Sequence, residues 1–206
     1  MNLKKSIKFS LFILLTLIGI LIIFNTKFFK TSNDNITSLE NDFNKLITHY
    51  KFFEVKNDNT IIKDFTLYDE NNNTLNISDL LIGKKLIFRF AEINCNVCIV
   101  NEFENIKKHI NNYELSPKDL IIISSYQNPN SLHIFKRLNK LNEFHIYNLK
   151  NNVLKNIELD SLNIPYFFVL DKNFIISNSF IPIKGANNRT SNYLKNITKE
   201  LKTRKD

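Results

Sequence analysis

Apolar and polar positions fall into two regimes along this chain. Residues 9–24 form an apolar run relieved only by Ser10, Thr16 and Gly19, whereas later apolar residues come in short runs or at helical spacing. A helix that is apolar on every face does not suit the surface of a soluble domain. The run is a little short of the roughly 20 residues that a membrane span needs. Ile7, Phe28 and Phe29 extend it, and Lys27 and Lys30 can snorkel outward. No A-x-A-like cleavage site follows it, and the next residues, Asn25-Thr26-Lys27-Phe28, contain no cysteine for a lipid. Residues 1–30 therefore read as an uncleaved signal anchor forming an N-terminal transmembrane helix. Lys4, Lys5 and Lys8 ahead of the run favour the N-terminus inside and the domain outside. The expected location is the inner (cytoplasmic) membrane, single-pass, with the domain on the periplasmic, extracytoplasmic side.

Residues 31–59 read as a polar stalk, 31–35, and an amphipathic helix carrying Leu39, Phe43, Leu46, Ile47 and Tyr50 on one stripe. His49 lies beside that stripe and reads as a packing residue. Residues 60–206 read as one domain. A strand over 60–68 and a return over 74–77 predict a hairpin across Asp69 to Asn73. Ser78 is placed to cap a short helix that ends by Gly83. Residues 85–91 and 119–125 are near-continuous apolar runs, as in strands covered on both faces. Helical spacing marks 97–113, 131–141 and 188–202, and His133 falls on an exposed side. Residues 143–149, 167–170 and 174–181 read as strands; 151–162 shows no clear period and has room for a helical turn. The strand–helix–strand order predicts an α/β fold with a central mixed sheet flanked by helices and an antiparallel hairpin at one side.

The chain has 206 residues, 43% of them hydrophobic, with 18 Phe, ample for one sizeable core. The formal charge of +8 comes from scattered lysines and from the flanks of the apolar run. No basic stripe suggests nucleic acid.

The chemistry sits on the only two cysteines, Cys95 and Cys98, which open a helical segment directly after the strand at 85–91. Thiols at i and i+3 on one helical turn can join and part. A bridge closing so short a loop adds little stability, so a redox pair is favoured over a structural one. At a helix start, free N–H groups and the helix dipole favour the Cys95 thiolate. Cys98, deeper in the helix, is placed to resolve a mixed disulfide. Arg89 either points toward the pair or, as preferred here, snorkels to the sheet surface. Glu92 is either a proton acceptor near Cys98 or a solvated turn residue. A zinc site is disfavoured, because one C-x-x-C supplies two ligands and the histidines show no ligand spacing. No metal and no cofactor is expected.

Four stretches together resemble the thioredoxin superfamily, in particular its membrane-anchored TlpA-like members. They are Asp64-Phe65-Thr66-Leu67; Ile77-Ser78-Asp79-Leu80 before Gly83; Phe90-Ala91 leading to Cys95-Asn96-Val97-Cys98; and Ile164-Pro165 before a strand ending in Leu170-Asp171. The resemblance implies a thioredoxin-like fold and a thiol-disulfide oxidoreductase with catalytic Cys95 and Cys98. It implies a cis Pro165 beside the dithiol, with Ile164 and Pro165 offering a backbone edge to substrate. Its implied partners are exported proteins with dithiols or disulfides and a membrane redox partner. The chain departs from the family in having Asn94 where a Trp usually precedes the first cysteine, and Arg89 where many members carry a carboxylate. A peroxiredoxin-like peroxidase, or a non-catalytic binding module on the same scaffold, are the alternatives. The first lacks its Pro-x-x-x-Thr/Ser-x-x-Cys pattern, since Glu92 stands three before Cys95.

Overall fold

The computed structural model describes residues 3–112, 114–150, 153–154 and 157–203. In the first helix the side chains of 3–15, 18, 20 and 31–33 are not among those described. The chain divides into two compact units, Met1–His49 and Tyr50–Asp206.

Helix α1 runs without a break over Leu3–Asn57. The expected stalk at 31–35 is part of it, because Thr31 to Asn35 contains neither Gly nor Pro to stop a helix. His49 is exposed on this helix, not packed as expected. Among the described residues no helix is long and apolar enough to cross a membrane. The expected span at 9–24 falls partly outside them, since the side chains of 9–15, 18 and 20 are not described.

The second unit begins with the last turns of α1, which are tied to the sheet. The Glu54 carboxylate accepts from the Ile181 backbone N–H at 2.7 Å and pairs with Arg189 at 2.8 Å. Asn57 donates to the Ser179 hydroxyl at 3.0 Å. The sheet has seven strands: β1 (Thr66–Tyr68), β2 (Thr74–Asn76), β3 (Lys85–Arg89), β4 (Leu120–Ser124), β5 (Ile146–Asn148), β6 (Tyr166–Leu170) and β7 (Ile176–Phe180). Their spatial order is β2-β1-β5-β4-β3-β6-β7. The central strands β3, β4 and β5 are parallel, and antiparallel pairs flank them on both sides.

Helices α2 (Ile77–Leu80), α3 (Asn96–Asn111), α4 (Pro129–Leu138), α5 (Glu158–Ser161) and α6 (Asn187–Thr203) complete the unit. Alternation along β3 feeds two cores. Leu86, Phe88 and Phe90 join Ile99 and Phe103 of α3 and Ile197 of α6 on one face. The Phe88 and Phe167 rings stack there at 4.5 Å. Ile87 joins Ile123, Phe168, Leu159 and Ile181 on the other.

Two expectations shift. Only 66–68 of the segment 60–68 pairs in the hairpin; Ile61 instead bridges Ile175, and Ile62 donates to the Phe174 carbonyl. This part of the chain first follows the β7 edge before crossing to β1. Helix α2 is capped by Asn76 in a capping box with Asp79, two residues earlier than Ser78. The Ser78 hydroxyl donates instead to Asp64 at 2.8 Å.

Buried ionisable groups make the domain sensitive to pH. Glu102, on α3, is buried. Burial pushes its carboxyl from an ordinary value of 4.5 up to about 6, against a hydrogen bond from Asn105 that pulls it down. The folded state thus holds this proton more tightly than the unfolded chain. The stability tied to Glu102 is full below pH 4.5 and falls as pH rises to about 6. Glu102→Gln is expected to stabilise the protein at pH 8 by up to about 2 kcal/mol, with no gain near pH 4. Denaturant midpoints of parent and variant at the two pH values check this.

Candidate active site

The β3–α3 turn is built by its own side chains. Asn94 folds back so that its Oδ1 accepts from the Ala91 N–H at 2.7 Å, and its own N–H donates to the Ala91 carbonyl at 3.0 Å. The chain then enters α3 with Cys95 as N-cap, its sulfur accepting from the Cys98 N–H at 3.3 Å. Cys95 and Cys98 are joined as a disulfide, with Cα atoms 5.2 Å apart. Cys95 is exposed and Cys98 half-buried. That asymmetry is what a pair needs if one sulfur meets a partner and the other resolves the adduct.

The face of the sheet opposite α3 carries the charged part of the site. Arg89 neither snorkels nor reaches the sulfurs: it is 4% exposed and lies on the Ile87 side of β3. Its Nε donates to Asp160 Oδ1 at 3.0 Å, Nη2 to the Ser125 hydroxyl at 2.8 Å, and Nη1 to the Phe90 carbonyl. Snorkelling is closed to it because β3 is an interior strand of a sheet covered on both faces. Tyr166, the antiparallel partner of Arg89, donates its hydroxyl to the same Asp160 oxygen at 3.1 Å. Burial, reinforced by Asp160, holds this phenol well above the usual tyrosine range, so it stays a neutral donor.

Glu92 is exposed and accepts from the Gln127 N–H at 3.2 Å. Pro165 is buried and directly precedes Tyr166, so it enters the sheet at the edge from which the β3–α3 turn leaves. No cis peptide bond occurs among the described residues, which corrects the expected cis Pro165. The chain reversal is supplied by Asn163, in the left-handed region at φ 52°. Arg89, Glu92, Asn94, Ser125, Asp160 and Ile164 all line one cavity of about 850 Å³. Cys95, Cys98 and Pro165 are not among its lining residues.

Sequence reasoning missed Asp160, Ser125 and Tyr166. The signal was a charged Arg inside an apolar strand, which requires a counter-charge. Nothing in the sequence told which carboxylate would supply it.

Three parallel central strands, antiparallel strands beyond them, and a C-x-x-C disulfide at the start of the helix after β3 define a thioredoxin-like fold. Solved structures agree on the fold. A candidate protein disulfide isomerase from Bacteroides thetaiotaomicron superposes with a TM-score of 0.54 at 16% identity, covering 70% of this chain and 90% of its own. A SCO1/SenC family lipoprotein from Bacillus anthracis superposes with a TM-score of 0.51 at 14% identity, covering 70% and 96%. No family model and no curated protein matches the sequence.

Proposed function

We propose that the chain is a membrane-anchored thiol-disulfide oxidoreductase, exchanging the Cys95–Cys98 disulfide with dithiols of exported proteins. The observation that carries this is the bridge itself, which places an exposed sulfur on a helix N-terminus with its partner half-buried one turn on. In the reduced form, Cys95 thiolate attacks a substrate disulfide and releases one substrate thiolate, which takes up a proton. Cys98 then loses its proton and attacks Cys95 Sγ. The second substrate sulfur leaves, and two electrons have passed to the substrate. The reverse sequence oxidises a substrate dithiol.

Ile164 and Pro165 form the backbone edge beside which substrate would lie; Pro165 has no N–H to compete for its carbonyls. Arg89, neutralised by Asp160, adds little field at the sulfurs, and Glu92 remains a solvent-side group. The apolar run 9–24, led by Lys4, Lys5 and Lys8, supports attachment to the inner membrane with the domain outside. There the dithiol needs a membrane redox partner to reset it.

The test is insulin reduction by the full-length protein in detergent with dithiothreitol. The proposal expects precipitation of the insulin B chain well ahead of the dithiothreitol blank. A rate equal to the blank would remove it.

A further inference from the structure

Helix α1 carries an apolar stripe that leads toward the domain. Between Lys30 and His49 the apolar residues are Ile36, Leu39, Phe43, Leu46 and Ile47, and the first four fall at spacings of three, four and three. None of those four is buried, and Leu39 is 72% exposed. Alternating threes and fours give a period of 3.5, the mark of a coiled-coil seam. In heptad letters a to g, Ile36 and Phe43 stand at a, and Leu39 and Leu46 at d. The same register runs back through Phe29 and Ile22 at a, with Ser32 and Asn25 at d. It runs forward to Tyr50 and Phe53, which pack against the core on the Ile87 face of the sheet and so end the seam. Every b, c and f position from Lys27 to Thr48 is polar. One face of this helix is thus suited to being covered and the other to staying in water.

Three observations choose what covers it. First, α1 is unbroken as far as Asn57. At a rise of about 1.5 Å per residue, Ile36 to Leu46 stand roughly 10 to 25 Å beyond Phe29 on an upright helix. That is past the headgroup layer, about 5 to 8 Å thick on each side, so lipid does not reach the stripe. Second, in a parallel pair in register, g of one helix faces the following e of the other. Here that sets Asn35 against Glu40 and Asp42 against Ile47, so no like charges face across the seam. Third, Asn25 at d is exposed and would meet Asn25 of the second helix, where each amide can donate to and accept from the other. A copy of this chain offers that amide at the same height.

We infer that α1 pairs with α1 of a second copy of this chain, parallel and in register, along Ile22 to Leu46. Ile at a with Leu at d suits two strands. The pairing rests on the membrane anchor proposed above, which gives both copies one direction; it does not depend on thiol–disulfide exchange. A pair joined this way carries two C-x-x-C dithiols on one anchor.

The experiment uses the full-length Cys95→Ser/Cys98→Ser protein in phospholipid vesicles, so that an added cysteine is its only thiol. Leu39→Cys and Leu46→Cys on the seam are compared with Asn41→Cys and Thr48→Cys on the outer face, each oxidised with copper phenanthroline. Seam positions meet their counterparts and outer positions do not, so dimer bands are expected to form about tenfold faster at Leu39 and Leu46. Adding Phe43→Glu, which sets two carboxylates against each other at a, is expected to remove the difference; Asn44→Glu is expected to leave it. Equal rates at every position, or no dimer band at any, would overturn the pairing and leave the oxidoreductase standing. Should the Cys95→Ser/Cys98→Ser background not fold, sedimentation in detergent reads the same pairing: the mass of two chains for the parent and of one for Phe43→Glu. A parent with the mass of one chain would overturn it. Full-length protein that parts from the vesicles on flotation would remove the anchor and this interface with it.

Discussion

Cys95→Ser is expected to abolish insulin reduction, and Cys98→Ser to accumulate a covalent adduct with the substrate. The two outcomes differ because the two sulfurs differ in position. Cys95 caps α3 and is exposed, so it meets the substrate. Free N–H groups at the helix start and the positive end of the dipole favour its thiolate, the attacking form. Without Cys95 the remaining cysteine is half-buried, and activity should fall to the blank. Without Cys98 the first attack still proceeds, but nothing resolves the mixed disulfide. Non-reducing gels of Cys98→Ser with insulin should show a band that dithiothreitol removes. Equal activity of parent and Cys95→Ser would contradict the assignment.

Asp160→Ala is expected to cost about 3–5 kcal/mol of stability, the usual loss when one partner of a buried ion pair is removed. The Arg89 side chain is 4% exposed and the Asp160 side chain 15% exposed, so water does little to replace the pair. The variant strands the Arg89 charge and leaves the Tyr166 hydroxyl without its acceptor. Adding Arg89→Met should recover a large part of the loss, because it removes the stranded charge and leaves an apolar side chain against Ile87 and Phe168. Denaturant unfolding of the single and double variants measures this. A double variant as unstable as the sum of its parts would show that the pair is not coupled.

The central strands were legible because β3 and β6 are apolar on both faces, a pattern that depends on neighbours in sequence. The cysteines were legible for the same reason, since strand, turn and helix start are contiguous. Arg89 was misread because its partner lies 71 residues away. Asp160 sits in the aperiodic stretch 151–162, where only α5 is regular. The break expected at 31–35 rested on polarity, and polar residues without Gly or Pro continue a helix readily. The cis geometry expected of Pro165 was inferred from resemblance alone, and no periodicity in the sequence bears on it. The Asn94 turn is closed by hydrogen bonds that no periodicity announces either.

One measurement bears most directly on the two sulfurs: titration of the full-length protein through a series of dithiol redox buffers, with the reduced fraction read by alkylation and mass. The account predicts one reversible two-electron transition for Cys95 and Cys98, at a potential between about −270 and −120 mV, where catalytic pairs operate. A bridge that stays closed below about −300 mV, as structural disulfides do, would contradict it.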